Sequence, residues 1–189
     1  MADHPTPPNP SKALVLARRS ASTLFLWALV TGIFLSGNAW GFLGLIGTLT
    51  IIATIEYFKM LKAASIQCFP RYGIFLAVIY SAGIYGFFLT GRNSIPQDYD
   101  DLAFFLAVAG PFILQLRHPI RGMEGLLAVA ANLLAFVYIA FLFNFAARVT
   151  FMAPGANAVP GLVGSSGAVL LLWLLAVTKF TDMGAYIVG

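Results

Sequence analysis

The chain has 189 residues, of which 60% are hydrophobic and 10% charged. A water-facing domain carries roughly 25% charged residues, so there is too little charge here to coat an aqueous surface, and lipid is the solvent that fits. The net charge is +4, yet no basic stripe with interleaved aromatics is present, which excludes a nucleic-acid partner; the basic residues sit between apolar runs, where they orient a chain in a membrane.

Residues 1–19 open with four prolines among the first eleven positions and no apolar run, and read as a disordered cytosolic tail. The apolar stretch after Arg18-Arg19 is too long for a signal peptide and reads as a retained span. From Ser20 to Ile55 there is no Asp, Glu, Lys or Arg. A span needs about 20 apolar residues, so this run holds two helices, 21–35 and 39–61, broken at Ser36-Gly37-Asn38. A third span covers 72–90. A polar loop, 91–101, holds Asn93, Pro96, Asp98 and Asp100. Span four, 102–116, is short and contains Pro111, so a re-entrant segment is the alternative. Span five covers 125–147, a loop covers 152–157, and span six covers 162–182. The fold class expected is all-α, a polytopic membrane helix bundle of about six transmembrane helices, with residues 20–189 as its domain.

Charge orients it. With the N-terminus inside, Lys12, Arg18, Arg19, Lys59, Lys62, Arg71, Arg117, Arg121 and Lys179 fall on the cytoplasmic side and only Arg92 and Arg148 outside, as the positive-inside rule prefers. Both ends are then cytoplasmic. Gly41, Gly44 and Gly47, and Gly83 and Gly86, suggest close helix packing, and Gln115, Asn132 and Asn144 suggest hydrogen bonds between helices.

Few residues offer chemistry. Cys68 is the one cysteine and has no CxxC or His partner, which excludes a zinc site. His118 is a lone histidine in a short basic loop. Glu56 lies a turn inside the cytosolic end of span two; it either pairs with Lys59 or Lys62 or serves as an acid facing a cytosolic cavity. The segment Lys179-Phe180-Thr181-Asp182-Met183-Gly184-Ala185-Tyr186 is the richest. Lys179 and Asp182 share a helix face, as a local ion pair or as a phosphate-handling site: one carboxylate suffices for Mg²⁺ when the metal keeps water and phosphate oxygens, Lys179 offsets phosphate charge, and Gly184 and Ala185 leave room for close approach. The P-loop, GxSxG, HExxH and GxGxxG patterns are absent.

Lys179 to Gly189 resembles the Asp-x-Gly-Ala-Tyr-x-x-Gly segment of phosphatidate cytidylyltransferases, the CDP-diacylglycerol synthases. The layout is similar too: Arg18-Arg19 leads into paired helices, the second ending in Glu56-Tyr57-Phe58 and basic residues. The resemblance implies that CTP and phosphatidate give CDP-diacylglycerol and pyrophosphate with Mg²⁺, in phospholipid biosynthesis at the inner cell membrane. It implies catalytic roles for Asp182 and Lys179, with Asp182 as metal ligand, and substrate contacts from Thr181, Gly184, Ala185, Tyr186 and Gly189. The partners implied are CTP, phosphatidate and the bilayer, with a homodimer as an option. Members of that family carry a Ser-Pro-x-Lys-Thr-type segment and a longer C-terminal signature after this point, so these residues are expected to be the N-terminal part of a longer enzyme, inactive alone. The readings from other classes are a small transporter or channel subunit and a non-catalytic membrane scaffold.

Overall fold

The computed structural model describes residues 25, 27–36, 38–91, 94–118, 122–152 and 166–188. The tail 1–19, Arg92, Arg121, most of the 152–157 loop and the start of span six lie outside them. Every described element is helical or a short connection, with no strand among the described residues. Helix α1 covers 27–35; α2 is Ala39–Ala63, α3 Pro70–Leu89 and α4 Gln97–Gln115. One long helix follows, α5 (Glu124–Leu134) running through a π-helical segment (Ala135–Phe141) into α6 (Leu142–Met152), and α7 is Ser166–Val188. Three of these, α2, α3 and the stretch Glu124–Phe151, are long and apolar enough to cross a membrane by length and composition. The chain is thus an all-α membrane helix bundle.

Local chemistry sets the boundaries. Ser36-Gly37-Asn38 does break the first apolar run: the Asn38 side chain accepts from the Trp40 backbone N–H at 3.0 Å, satisfying one of the orphan donors that every helix start exposes. Pro70 begins α3, where its missing N–H costs nothing. The expected polar loop 91–101 is shorter than its composition suggests. Helix α4 begins at Gln97 and takes up Asp98, Asp100 and Asp101, because carboxylates in a first turn are favoured by the partial positive charge there. Helix α6 likewise runs past the expected end of span five, at Ala147, and carries Arg148 inside it.

Helices α3 and α4 run antiparallel. Tyr72 of α3 donates to the Leu106 carbonyl at 2.6 Å, and Tyr99 to the Tyr80 carbonyl at 3.0 Å, so α3 descends as α4 rises. Gln67 donates to Gln115 at 3.3 Å and Phe69 packs edge-on to His118, which places the connection 64–69 and residues 116–118 at one end of the bundle. Phe34, Phe42, Phe88 and Phe151 form a ring cluster at the other. The amino end of α1 and the carboxyl end of α7 both fall at the first end, where Lys59, Lys62, Arg71 and Arg117 are exposed.

Small residues and tyrosines, more than a large aliphatic core, fix the interior. Lipid is as apolar as a leucine core, so close packing and hydrogen bonds hold such helices together. Gly47 seats the Tyr85 ring and Gly83 the Tyr99 ring. Gly44 and Gly86, expected to pack closely, face open space. Buried Thr50 and Thr54 donate back to the Ile46 and Thr50 carbonyls, which removes free hydroxyls from the apolar interior.

The π-segment has a packing consequence. Asn132 and Asn144 are twelve positions apart, about a third of a turn beyond three full turns of a 3.6-residue helix. An i→i+5 register absorbs one extra residue and returns both to one face. Asn144 donates to Ser81 of α3 at 2.9 Å, and Asn132 turns its Oδ1 toward Gly73 of α3. Asn132 makes no side-chain bond to another helix, contrary to expectation; its amide donates to Ala128 of its own helix.

Candidate functional site

The last three turns of α7 carry the predicted chemistry, at the end of the bundle shared with the 64–69 connection and residues 116–118. Ten consecutive apolar residues, Ala168 to Val177, precede the polar ones, with Ala168 and Leu171 turned into the bundle. Leu170, Trp173, Leu174 and Phe180 are exposed. Asp182 and Thr181 are exposed, and Lys179 is half-buried. Thr181 donates to the Val177 carbonyl at 2.8 Å, which commits its hydroxyl hydrogen to the helix and leaves its oxygen as an acceptor. A Cβ added to Gly184 would meet nothing within 4 Å, so the backbone there is open to approach from outside. Ala185 is exposed. The Tyr186 side chain and Gly189 lie outside the described residues.

Lys179 and Asp182 share a face but do not pair with each other: the one ion pair among the described residues lies elsewhere. Both charges are therefore available to a ligand. Lys179 sits at the side of α1, in a cleft with Trp27, Val30 and Leu175. Glu56 is exposed on α2 and forms no ion pair with Lys59 or Lys62.

No group of three or more His, Cys, Asp or Glu gathers among the described residues. A preformed all-protein metal cage is thus not what this region offers. Mg²⁺ commonly binds through one or two carboxylates together with substrate phosphates and water, and the exposed, unpaired carboxylate of Asp182 fits that mode. Cys68, in the connection between α2 and α3, is free and half-buried; burial pushes its thiol above the usual range, with nearby Lys62 partly opposing the shift. His118 binds back to the Leu114 carbonyl at 3.2 Å.

A second polar constellation lies towards the opposite end. Arg148 of α6 donates from Nη1 to Asp100 Oδ2 at 2.7 Å and from Nη2 to Asp100 Oδ1 and to the Tyr80 hydroxyl, the last at 2.8 Å. Tyr80 in turn donates to Asp100 at 2.9 Å. The guanidinium lies 5.6 and 5.7 Å from the Phe141 and Phe145 ring centroids, and the Tyr99 ring stacks on Tyr80. This two-pronged carboxylate–guanidinium contact ties α3, α4 and α6 together. It corrects the reading of Asp100 as a residue of the 91–101 loop: Asp100 lies in α4 and Arg148 in α6, and the two charges are paired rather than free. The signal available in the sequence was a pair of opposite charges, each within a turn of an apolar run; what the sequence lacks is anything that says the two runs are neighbours.

A family model described as the cytidylyltransferase family matches residues 17–189. Searches of curated proteins and of solved structures give no match.

Proposed function

The chain belongs to the cytidylyltransferase family, and from that premise we propose that it serves a CTP:phosphatidate cytidylyltransferase that makes CDP-diacylglycerol for phospholipid synthesis at the inner cell membrane. The observation that carries the reading is the family match over nearly the whole chain, ending on the Asp182-Met183-Gly184-Ala185-Tyr186 segment. Membership supports nucleotidyl transfer and a CTP-type substrate; the membrane bundle supports a lipid acceptor.

In this reaction a phosphate oxygen of phosphatidate attacks the α-phosphorus of CTP. A new phosphorus–oxygen bond forms, the bond to the β-phosphate bridging oxygen breaks, and pyrophosphate leaves with the electron pair. Little covalent work falls to the protein in phosphoryl chemistry, which depends on positioning and on neutralising charge. Asp182 would hold a Mg²⁺ ion, which would supply charge neutralisation at the phosphates. Lys179, unpaired beside it on the same helix face, holds the acceptor phosphate. Gly184 gives the phosphates backbone access.

Orientation follows from charge. The end that carries Asp182 also exposes Lys59, Lys62, Arg71 and Arg117, which supports a cytoplasmic position for it, where CTP is found. Arg148, at the other end, is neutralised by Asp100, so the asymmetry of free positive charge is greater than a count of basic residues gives.

The test is an acceptor panel. Membranes expressing the gene from its natural start to its natural stop are given CTP with phosphatidate, a polyprenyl phosphate or diacylglycerol. Label entering lipid with phosphatidate alone is expected. Transfer to the polyprenyl phosphate in preference would move the assignment to another lipid, and transfer to none would remove it.

A further inference from the structure

Helices α1 and α7 leave an open-sided cleft between them, lined by Trp27, Val30, Leu175 and Lys179. It is a shallow groove: the space held between the two helices is about 40 Å³, and the rest is open to the surroundings, so it can seat a stretch of a chain rather than enclose one. Trp27 and Val30 are one turn apart on α1, and Leu175 and Lys179 one turn apart on α7, so two short ridges face each other across a trough. Three of the four linings are apolar; the fourth is a cation.

An ammonium among apolar walls in a lipid-facing cleft is costly unless it reaches water or finds an anion. Among the described residues Lys179 has no ion pair and no carboxylate lines the cleft. The neighbouring Asp182 is exposed and unpaired with it. An apolar trough that ends on an unpaired cation complements one kind of molecule, a lipid whose acyl chain fills the trough and whose phosphate reaches the ammonium.

We propose that the α1–α7 cleft seats an acyl chain of a phosphomonoester lipid, with its headgroup held on Lys179. This rests on the cytidylyltransferase reading and adds the route by which the acceptor lipid is held: from the bilayer side, between the first and last described helices. A phosphomonoester carries close to two negative charges near neutral pH, whereas the bulk zwitterionic lipid offers none net, so the cation discriminates between them.

Trp27 makes the site readable without turnover. The other tryptophans, Trp40 and Trp173, are exposed and are replaced by phenylalanine, leaving Trp27 as the reporter. The protein is placed in phosphatidylcholine vesicles that contain a small fraction of bromine-labelled phosphatidate or bromine-labelled phosphatidylcholine, and quenching is followed. Brominated phosphatidate is expected to quench at a mole fraction about fivefold lower, the preference one lysine gives for an anionic lipid. Lys179→Gln should bring the two curves together, and Lys179→Arg should keep them apart, which separates loss of charge from loss of fold. Equal quenching by both lipids, or a preference that survives Lys179→Gln, overturns the proposal. Selective quenching without any nucleotide transfer would remove the enzymatic reading and leave this one standing; transfer without selective quenching would do the reverse.

Discussion

Replacing Arg148 by methionine strands Asp100 in the interior. The pair is well shielded, with side-chain exposures of 12% for Arg148 and 20% for Asp100, and the carboxylate has a second partner in the Tyr80 hydroxyl at 2.9 Å. Breaking a buried pair by removing one partner costs about 3–5 kcal/mol, most of it the penalty on the charge left behind. Partial exposure and the remaining Tyr80 bond set the expectation at the low end, about 3 kcal/mol. Removing both charges, as Arg148→Met with Asp100→Leu, leaves no orphan and should recover most of that loss. The assay is reversible unfolding in mixed detergent, read by helical circular dichroism, on the parent, each single variant and the double variant. A single variant that loses less than about 1 kcal/mol would put the pair among the weak exposed ones. A double variant as unstable as the sum of the singles would show that the two residues do not act on each other. Either result refutes the claim that this contact fastens α3, α4 and α6.

Three other outcomes follow from the packing and the ends. Gly83→Leu should cost about 1–3 kcal/mol, since the Tyr99 ring occupies the space, whereas Gly86→Leu, facing open space, should change stability by about 0.5 kcal/mol or less; equal effects would contradict the packing. Alkylation of Cys68 should be slow at neutral pH and keep accelerating above the ordinary thiol value of about 8.5, because the thiolate is the nucleophile and burial withholds it; a rate that levels off below that pH would contradict the buried setting. In a Cys68→Ser background, an impermeant maleimide should reach Lys62→Cys only after the cytoplasmic face is opened and Thr90→Cys from outside, and the reverse pattern would overturn the orientation.

Much of the bundle is legible in the sequence because lipid imposes a coarse rule: apolar runs of a fixed length, broken by Gly, Asn and charge. The Ser36–Asn38 break and the alternation of helices follow from it. Charges near helix ends are where the rule fails. Asp100 reads as a residue of the polar 91–101 loop, and Arg148 as an outer-side charge just past the end of span five. Only the neighbourhood of α3, α4 and α6, set by Gly83 receiving Tyr99 and by the π-segment that turns Asn144 toward Ser81, brings the two together. That neighbourhood is a tertiary property with no local signal. The π-segment itself contains no Gly or Pro, so nothing in its composition marks it. The candidate site on α7 shows the opposite case. Its residues lie within a few turns of one helix, so the sequence places them beside each other without any knowledge of packing, while the cleft with α1 that receives Lys179 depends on a contact between the first and last described helices.

In the proposed reaction a cytidylyl group moves from CTP to a lipid phosphate. Membranes carrying the natural gene product are incubated with phosphatidate and CTP labelled at either the α- or the γ-phosphate, and the lipid extract is counted. The account predicts label in lipid from α-labelled CTP, none from γ-labelled CTP, and a loss of at least about a hundredfold in Asp182→Asn, as for removal of a transition-state charge stabiliser. Label arriving from the γ-phosphate would mean phosphoryl rather than nucleotidyl transfer, and no label from either, or transfer undiminished in Asp182→Asn, would contradict the account.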